Sequence, residues 1–127
     1  MKRRAFFQRI FGGLGLVAAG AAVAAPSRTV LIQESPVAGF QFHGGDAIWE
    51  AMAVGAPLKL IREPKNSHDP EAVAVFFHDV KLGYVPRGDN SAVAQMLDRG
   101  EKLEATISRL RVDDDPWQRV RLSIFLL

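Results

Sequence analysis

Ala72-Val73-Ala74-Val75-Phe76-Phe77, then His78-Asp79, then Val80-Lys81-Leu82-Gly83-Tyr84-Val85, is the stretch whose reading decides the fold class. Two runs rich in β-branched and aromatic residues flank a two-residue polar step. That step is too short for a parallel crossover, so the pair is a β-hairpin. Residues 58–62 supply a strand before it, and residues 28–33 and 37–42 supply two more, the latter with Phe40 and Phe42 on one face and Gln41 on the other. Downstream, 103–111 alternates, with Leu103, Ala105, Ile107 and Arg109 opposite Glu104, Thr106, Ser108 and Leu110. Residues 113–116, Asp-Asp-Asp-Pro, form a turn into a last strand at 117–125, where Val120, Leu122 and Ile124 share a face and Arg119, Arg121 and Ser123 share the other. Two short helices punctuate the strands. Asp46 caps one that groups Ile48, Trp49 and Met52 and ends at Gly55, and Asn90 or Ser91 caps one that buries Val93, Met96 and Leu97 and stops at Gly100. About seven short strands with two short helices are read as a mainly β, small β-barrel, since closure removes open edges.

Charge is divided unevenly along the chain. Four of the 16 Lys and Arg side chains (Lys2, Arg3, Arg4, Arg9) and none of the 14 Asp and Glu lie in residues 1–24, which leaves 12 basic against 14 acidic in the remaining 103 residues. The sequence pI near 9.3 therefore belongs to the leader, and any affinity of the rest for phosphate has to come from a local patch. The apolar run at 10–25 is shorter than the ~20 residues a membrane-spanning helix needs, and Ala22-Val23-Ala24 is a small-x-small cleavage pattern with the cut between Ala24 and Ala25. Lys2-Arg3-Arg4-Ala5-Phe6-Phe7 resembles a twin-arginine motif. The expectation is an export signal at 1–24, a lead-in strand at 25–34 and a barrel domain at 35–127, with a periplasmic or secreted bacterial location and membrane contact only through the signal. With no cysteine in the chain, disulfides, thiolate zinc sites and a cysteine nucleophile are excluded.

The densest functional cluster is Arg62-Glu63-Pro64-Lys65-Asn66-Ser67-His68-Asp69-Pro70-Glu71-Ala72-Val73, followed by Leu82-Gly83-Tyr84-Val85-Pro86-Arg87. Two prolines stiffen the loop, Asn66 and Asp69 are suited to bonding backbone amides within it, and Arg62, Lys65 and Arg87 place cations at its ends. Together with Val37-Ala38-Gly39-Phe40-Gln41-Phe42-His43-Gly44 upstream, these motifs resemble the HIRAN domain family over about residues 35–110. That resemblance implies an OB-like or SH3-like barrel (the HIRAN fold) that binds single-stranded DNA at a free 3′ end. By position it implies that Phe42 and His68 stack on bases, that Asn66 and Asp69 hold the terminal nucleotide, and that Tyr84 and Arg87 face phosphates. Gln41 stands in the groove where a DNA-binding member carries an arginine, and Glu71 where an Asn is frequent, so the binding implied is weak and salt-sensitive.

Each residue also has a purely structural counterpart. Phe42 fills the core beside Phe40, Asn66 and Asp69 tie the turn, Tyr84 packs with its hydroxyl at the rim, and Arg87 is a solvated charge. The four arginines at 109, 111, 119 and 121 read as a solvated face balanced by Asp113, Asp114 and Asp115. His43, His68, Asp69 and His78 lack metal-ligand spacing, and no nucleophile elbow, Walker lysine or dinucleotide fingerprint occurs, so the sequence predicts a binding module without cofactor, metal or catalytic residue. The rival reading from another class is an envelope interaction protein that offers the same groove to a peptide, glycan or protein partner.

Overall fold

The computed structural model describes residues 30–127. The strands are β1 (Val30–Pro36), β2 (Pro57–Glu63), β3 (Ala72–Phe77), β4 (Val80–Tyr84), β5 (Leu103–Leu110) and β6 (Val120–Leu126), with one α-helix, α1 (Ser91–Asp98). They form a single antiparallel sheet in the order β1-β6-β5-β2-β3-β4. No full ladder closes it. One isolated bridge, Ala38 to Tyr84, joins the chain just beyond β1 to the end of β4, with both backbone hydrogen bonds made, at 2.8 and 2.9 Å.

The sheet rolls because the ladders are interrupted. Each of β1, β4 and β5 carries an extra residue at a bulge, Ile32, Leu82 and Ser108 respectively, and bulges add local twist and bend. Alternating side chains from the rolled sheet meet inside, where Val37, Phe40, Val73, Val75, Leu82, Ile107, Val120, Leu122 and Ile124 are all buried. Burying an aliphatic or aromatic side chain of this kind stabilises by ~1.5–3 kcal/mol each. Gly83, in the Leu82-Gly83-Tyr84 run, is required by the bridge. A Cβ there would run into the Ala38 carbonyl oxygen, and its φ of 154° is one that side-chain-bearing residues rarely adopt.

Several local expectations are corrected. Among the described residues there are six strands, and residues 37–42 do not form one. Gly39, at φ 74°, turns the chain into a 3-10 segment, Phe40–Phe42, so two aromatics that would share a strand face diverge. Phe40 is 0% exposed and Phe42 78% exposed, which removes the reading of Phe42 as core. The Phe40 ring lies over Gly45, where a Cβ would clash with it, and meets Trp49 edge-on at 5.9 Å. The helix expected near Asp46 is a 3-10 run, Gly44–Ala51, kinked at Ile48. Trp117 precedes β6, in a short turn capped by the Asp115 carboxylate. The bulge at Ser108 reverses the alternation in β5, sending Arg109 to the outer face and Leu110 toward the core. The export signal at 1–24, its cleavage site at Ala24 and Ala25, and the start of the 25–34 lead-in lie outside the described residues. Among those described, no helix is long and apolar enough to cross a membrane.

Candidate functional site

The loop between β2 and β3 is tied from within. The Asn66 amide nitrogen closes a turn onto the Glu63 carbonyl at 3.0 Å. The Asn66 side-chain oxygen accepts from the backbone of His68 at 2.8 Å and of Asp69 at 3.1 Å, while its Nδ2 donates to Glu63 Oε1 at 3.0 Å. Asp69 Oδ1 accepts from the Glu71 backbone at 2.9 Å, and Oδ2 accepts from Asn90 Nδ2 at 2.8 Å. The Glu71 amide, then Asn90, then the nearby Arg87 and Arg62 charges hold the Asp69 carboxyl below its ordinary range. Arg62, expected as a free cation at the loop's edge, is consumed. It donates to the carbonyls of Ala72 and Pro70 and pairs with Asp98 at 2.9 Å, which fastens α1 to the loop.

Beside the loop lies a second network. Glu63 accepts from Lys81 at 2.8 Å and from the Tyr84 hydroxyl at 2.8 Å, and Lys81 also donates to the Tyr84 oxygen at 3.0 Å. Burial opposes the Glu63 charge, but the donors Lys81, Asn66 and Tyr84 outweigh it and bring its pKa down to about 2. Lys81 sits 4.8 Å from the Tyr84 ring centroid, and His43 meets the same ring edge-on at 5.8 Å. Burial first, and Lys81 second, lower the His43 pKa.

These ties shape a cleft of about 250 Å³ lined by Ala38, Asn66, His68, Asp69, Ala72, Tyr84, Val85, Arg87 and Asn90. Five of the residues expected at the site therefore converge from two separate segments: Asn66, His68 and Asp69 from the loop, Tyr84 and Arg87 from the end of β4. Gln41 and Phe42 do not line it. Both stand exposed on the 3-10 turn that begins just beyond the Ala38 wall. Asn66 and Asp69 do tie the turn, as their structural reading holds, and still present polar atoms to the cleft. Arg87 and His68 are exposed and form no hydrogen bond through their side chains among the described residues.

Sequence reasoning missed Glu63, Lys81 and Asn90. The register places Lys81 opposite Phe76 and Glu63 opposite Ala72 on neighbouring strands, a pairing visible only once β2, β3 and β4 are aligned. Asn90 precedes α1 but makes no side-chain cap, its amide being spent on Asp69. Among the described residues no group of three or more His, Asp or Glu side chains is arranged to hold a metal ion. His78, at φ 53° in the β3–β4 turn, packs against Phe77.

The crystal structure of a protein from Lactobacillus plantarum shares this fold with a TM-score of 0.67 and 27% identity, over 76% of this chain and 93% of that one. The crystal structure of the HIRAN domain of human HLTF superimposes with a TM-score of 0.58 over 76% of this chain and 77% of its own, at 18% identity, a likeness of fold alone. A Fanconi-associated nuclease 1 homolog from Oryza sativa subsp. japonica is 31% identical over 77 residues, which is 58% of this chain and 8% of that protein's length. The sequence model of the HIRAN domain matches residues 30–126, from the first residue of β1 to the last of β6. This chain belongs to the HIRAN domain family.

Proposed function

We propose that the protein is a nucleic-acid-binding module that seats the 3′ end of single-stranded DNA in the cleft, without catalysis, after export to the periplasm or beyond. The observation that carries the reading is the convergence of Asn66, His68, Asp69, Tyr84 and Arg87 on one small cleft beside an exposed Phe42. Each Asp69 oxygen holds one hydrogen bond and has a lone pair left to accept from a sugar hydroxyl. Arg87 supplies a guanidinium for phosphate, and Phe42 and His68 offer ring faces for bases, worth ~1–3 kcal/mol for each base stacked. The excess of acidic residues beyond residue 24 and the neutral Gln41 make the binding weak and steeply salt-dependent.

Fluorescence anisotropy of a labelled oligonucleotide with a free or a blocked 3′ hydroxyl, at low salt, tests it. The free end binds, blocking weakens binding, and Asp69→Asn lowers affinity by about tenfold, the scale of a lost hydrogen bond to a charged group. Equal binding of both ends, or none at high protein concentration, overturns the reading. Export is tested separately by mass spectrometry of the mature N-terminus from fractionated cells, with Ala25 expected first.

A further inference from the structure

The four arginines around the β5–β6 ladder do not share one environment. Arg111 pairs with Asp113 at 3.1 Å, and Arg119 pairs with Asp46 at 3.0 Å while donating to the Asp113 carbonyl. Arg109 and Arg121 are different: they are direct cross-strand partners on the outer face. Arg109 donates to Gln118 Oε1 at 3.2 Å, and its Nε is buried with no partner. Among the described residues, the Arg121 side chain makes no hydrogen bond or ion pair. Asp113 and Asp46 thus balance Arg111 and Arg119, which leaves the other two like charges face to face, an arrangement that disfavours the folded sheet unless an anion is supplied.

The row continues toward the cleft. Across the β1–β6 ladder the partner of Arg121 is Pro36, and two residues further along the same face stands Ala38, a wall of the cleft. One strand spacing and two residue rises put the arginine pair on the order of 10 Å from that wall.

We infer that Arg109 and Arg121 form a second phosphate-binding element, which takes the phosphodiester backbone of the strand leading away from the cleft. The inference rests on the reading of the cleft as a nucleic-acid site. Two adjacent guanidinium forks suit phosphate oxygens, and they provide the cations that Gln41 does not.

The test uses the full chain with oligothymidylates of about 4 and about 16 nucleotides, the two ends of the range an OB-like fold occupies. Arg121→Gln and Arg109→Gln/Arg121→Gln lower affinity for the long strand by about fivefold or more and flatten its salt dependence by ~0.7 for each phosphate no longer neutralised. Affinity for the short strand stays within about twofold. Melting temperatures hold or rise, because a like-charge pair has been removed; a merely structural role would lower them. Unchanged long-strand affinity and slope, alongside loss of binding in Asp69→Asn, overturns this inference and leaves the cleft reading intact. Equal loss on both strands also overturns it, since the arginines would then act at the cleft. No binding of any oligonucleotide overturns both.

Discussion

The loops at 62–72 and 111–119 both combine arginine, aspartate and proline, and they end up as different objects. In the first, Asn66 ties the loop to itself, Glu63 and Asp69 reach out of it to Lys81, Tyr84 and Asn90, and Arg62 reaches to Asp98, so that β4 and α1 both hold it. In the second, Asp113 and Asp115 accept from backbone amides two residues on, one ion pair, Arg111 to Asp113, stays inside the loop, and the other ends on Asp46, which is 63% exposed. Val112 stands 88% exposed and Trp117 46%. Local side-chain turns are common to both loops. A fixed ledge arises only where the same residues are also bonded to a second element.

That contrast is broken most severely from beneath the first loop. Gly83→Val drives a side chain into the Ala38 carbonyl and should cost roughly 3 kcal/mol or more through overpacking and backbone strain. Chemical denaturation measures this; a midpoint like the wild type's would mean that the bridge is dispensable.

Glu63→Gln is next, at about 2 kcal/mol near neutral pH, because Lys81 loses its charged partner in a half-buried setting. The pH dependence sharpens it. Glu63 has its pKa lowered from 4.5 to about 2 in the folded protein, so its contribution is complete above the unfolded value and is lost as pH falls toward the folded one. Acid titration of stability over that window should be steeper for the wild type than for Glu63→Gln.

Asn66→Ala removes the acceptor of two loop amides and should cost about 1 kcal/mol, with faster hydrogen exchange at His68 and Asp69. The smallest effect belongs to the other loop, where Asp46→Asn, at an exposed ion pair, should shift stability by less than ~0.5 kcal/mol. A larger loss there than for Asn66→Ala would erase the distinction between the loops.

Much of the fold is legible in the sequence, and the parts that are not share a cause. β3, the two-residue turn and β4 follow from local pattern, as do the apolar faces of β2 and β6, because period-two alternation reports burial directly. Residues 37–42 mislead because Phe40 and Phe42 are spaced as in a strand, while the backbone is decided by Gly39 and by a hydrogen-bonded partner more than forty residues away. The bulge at Ser108 is silent in the pattern, since Arg109 and Leu110 fit either phase until β6 fixes the register. At the site, the loop residues and Tyr84-Val85-Pro86-Arg87 stand out by type and spacing. Asn90, Lys81 and Glu63 do not, since their bonds span 18 to 21 positions.

The Ala38–Tyr84 bridge is a single stitch across an otherwise unlaced seam. Were it to part, the rolled sheet would gain two free edges, and the amides of those two residues would trade their hydrogens with solvent ahead of the inner strands. Ala38 and Tyr84 both wall the cleft. A ligand that needs both lips in place would keep the seam shut by mass action, and filling the site would then slow the exchange of two protons.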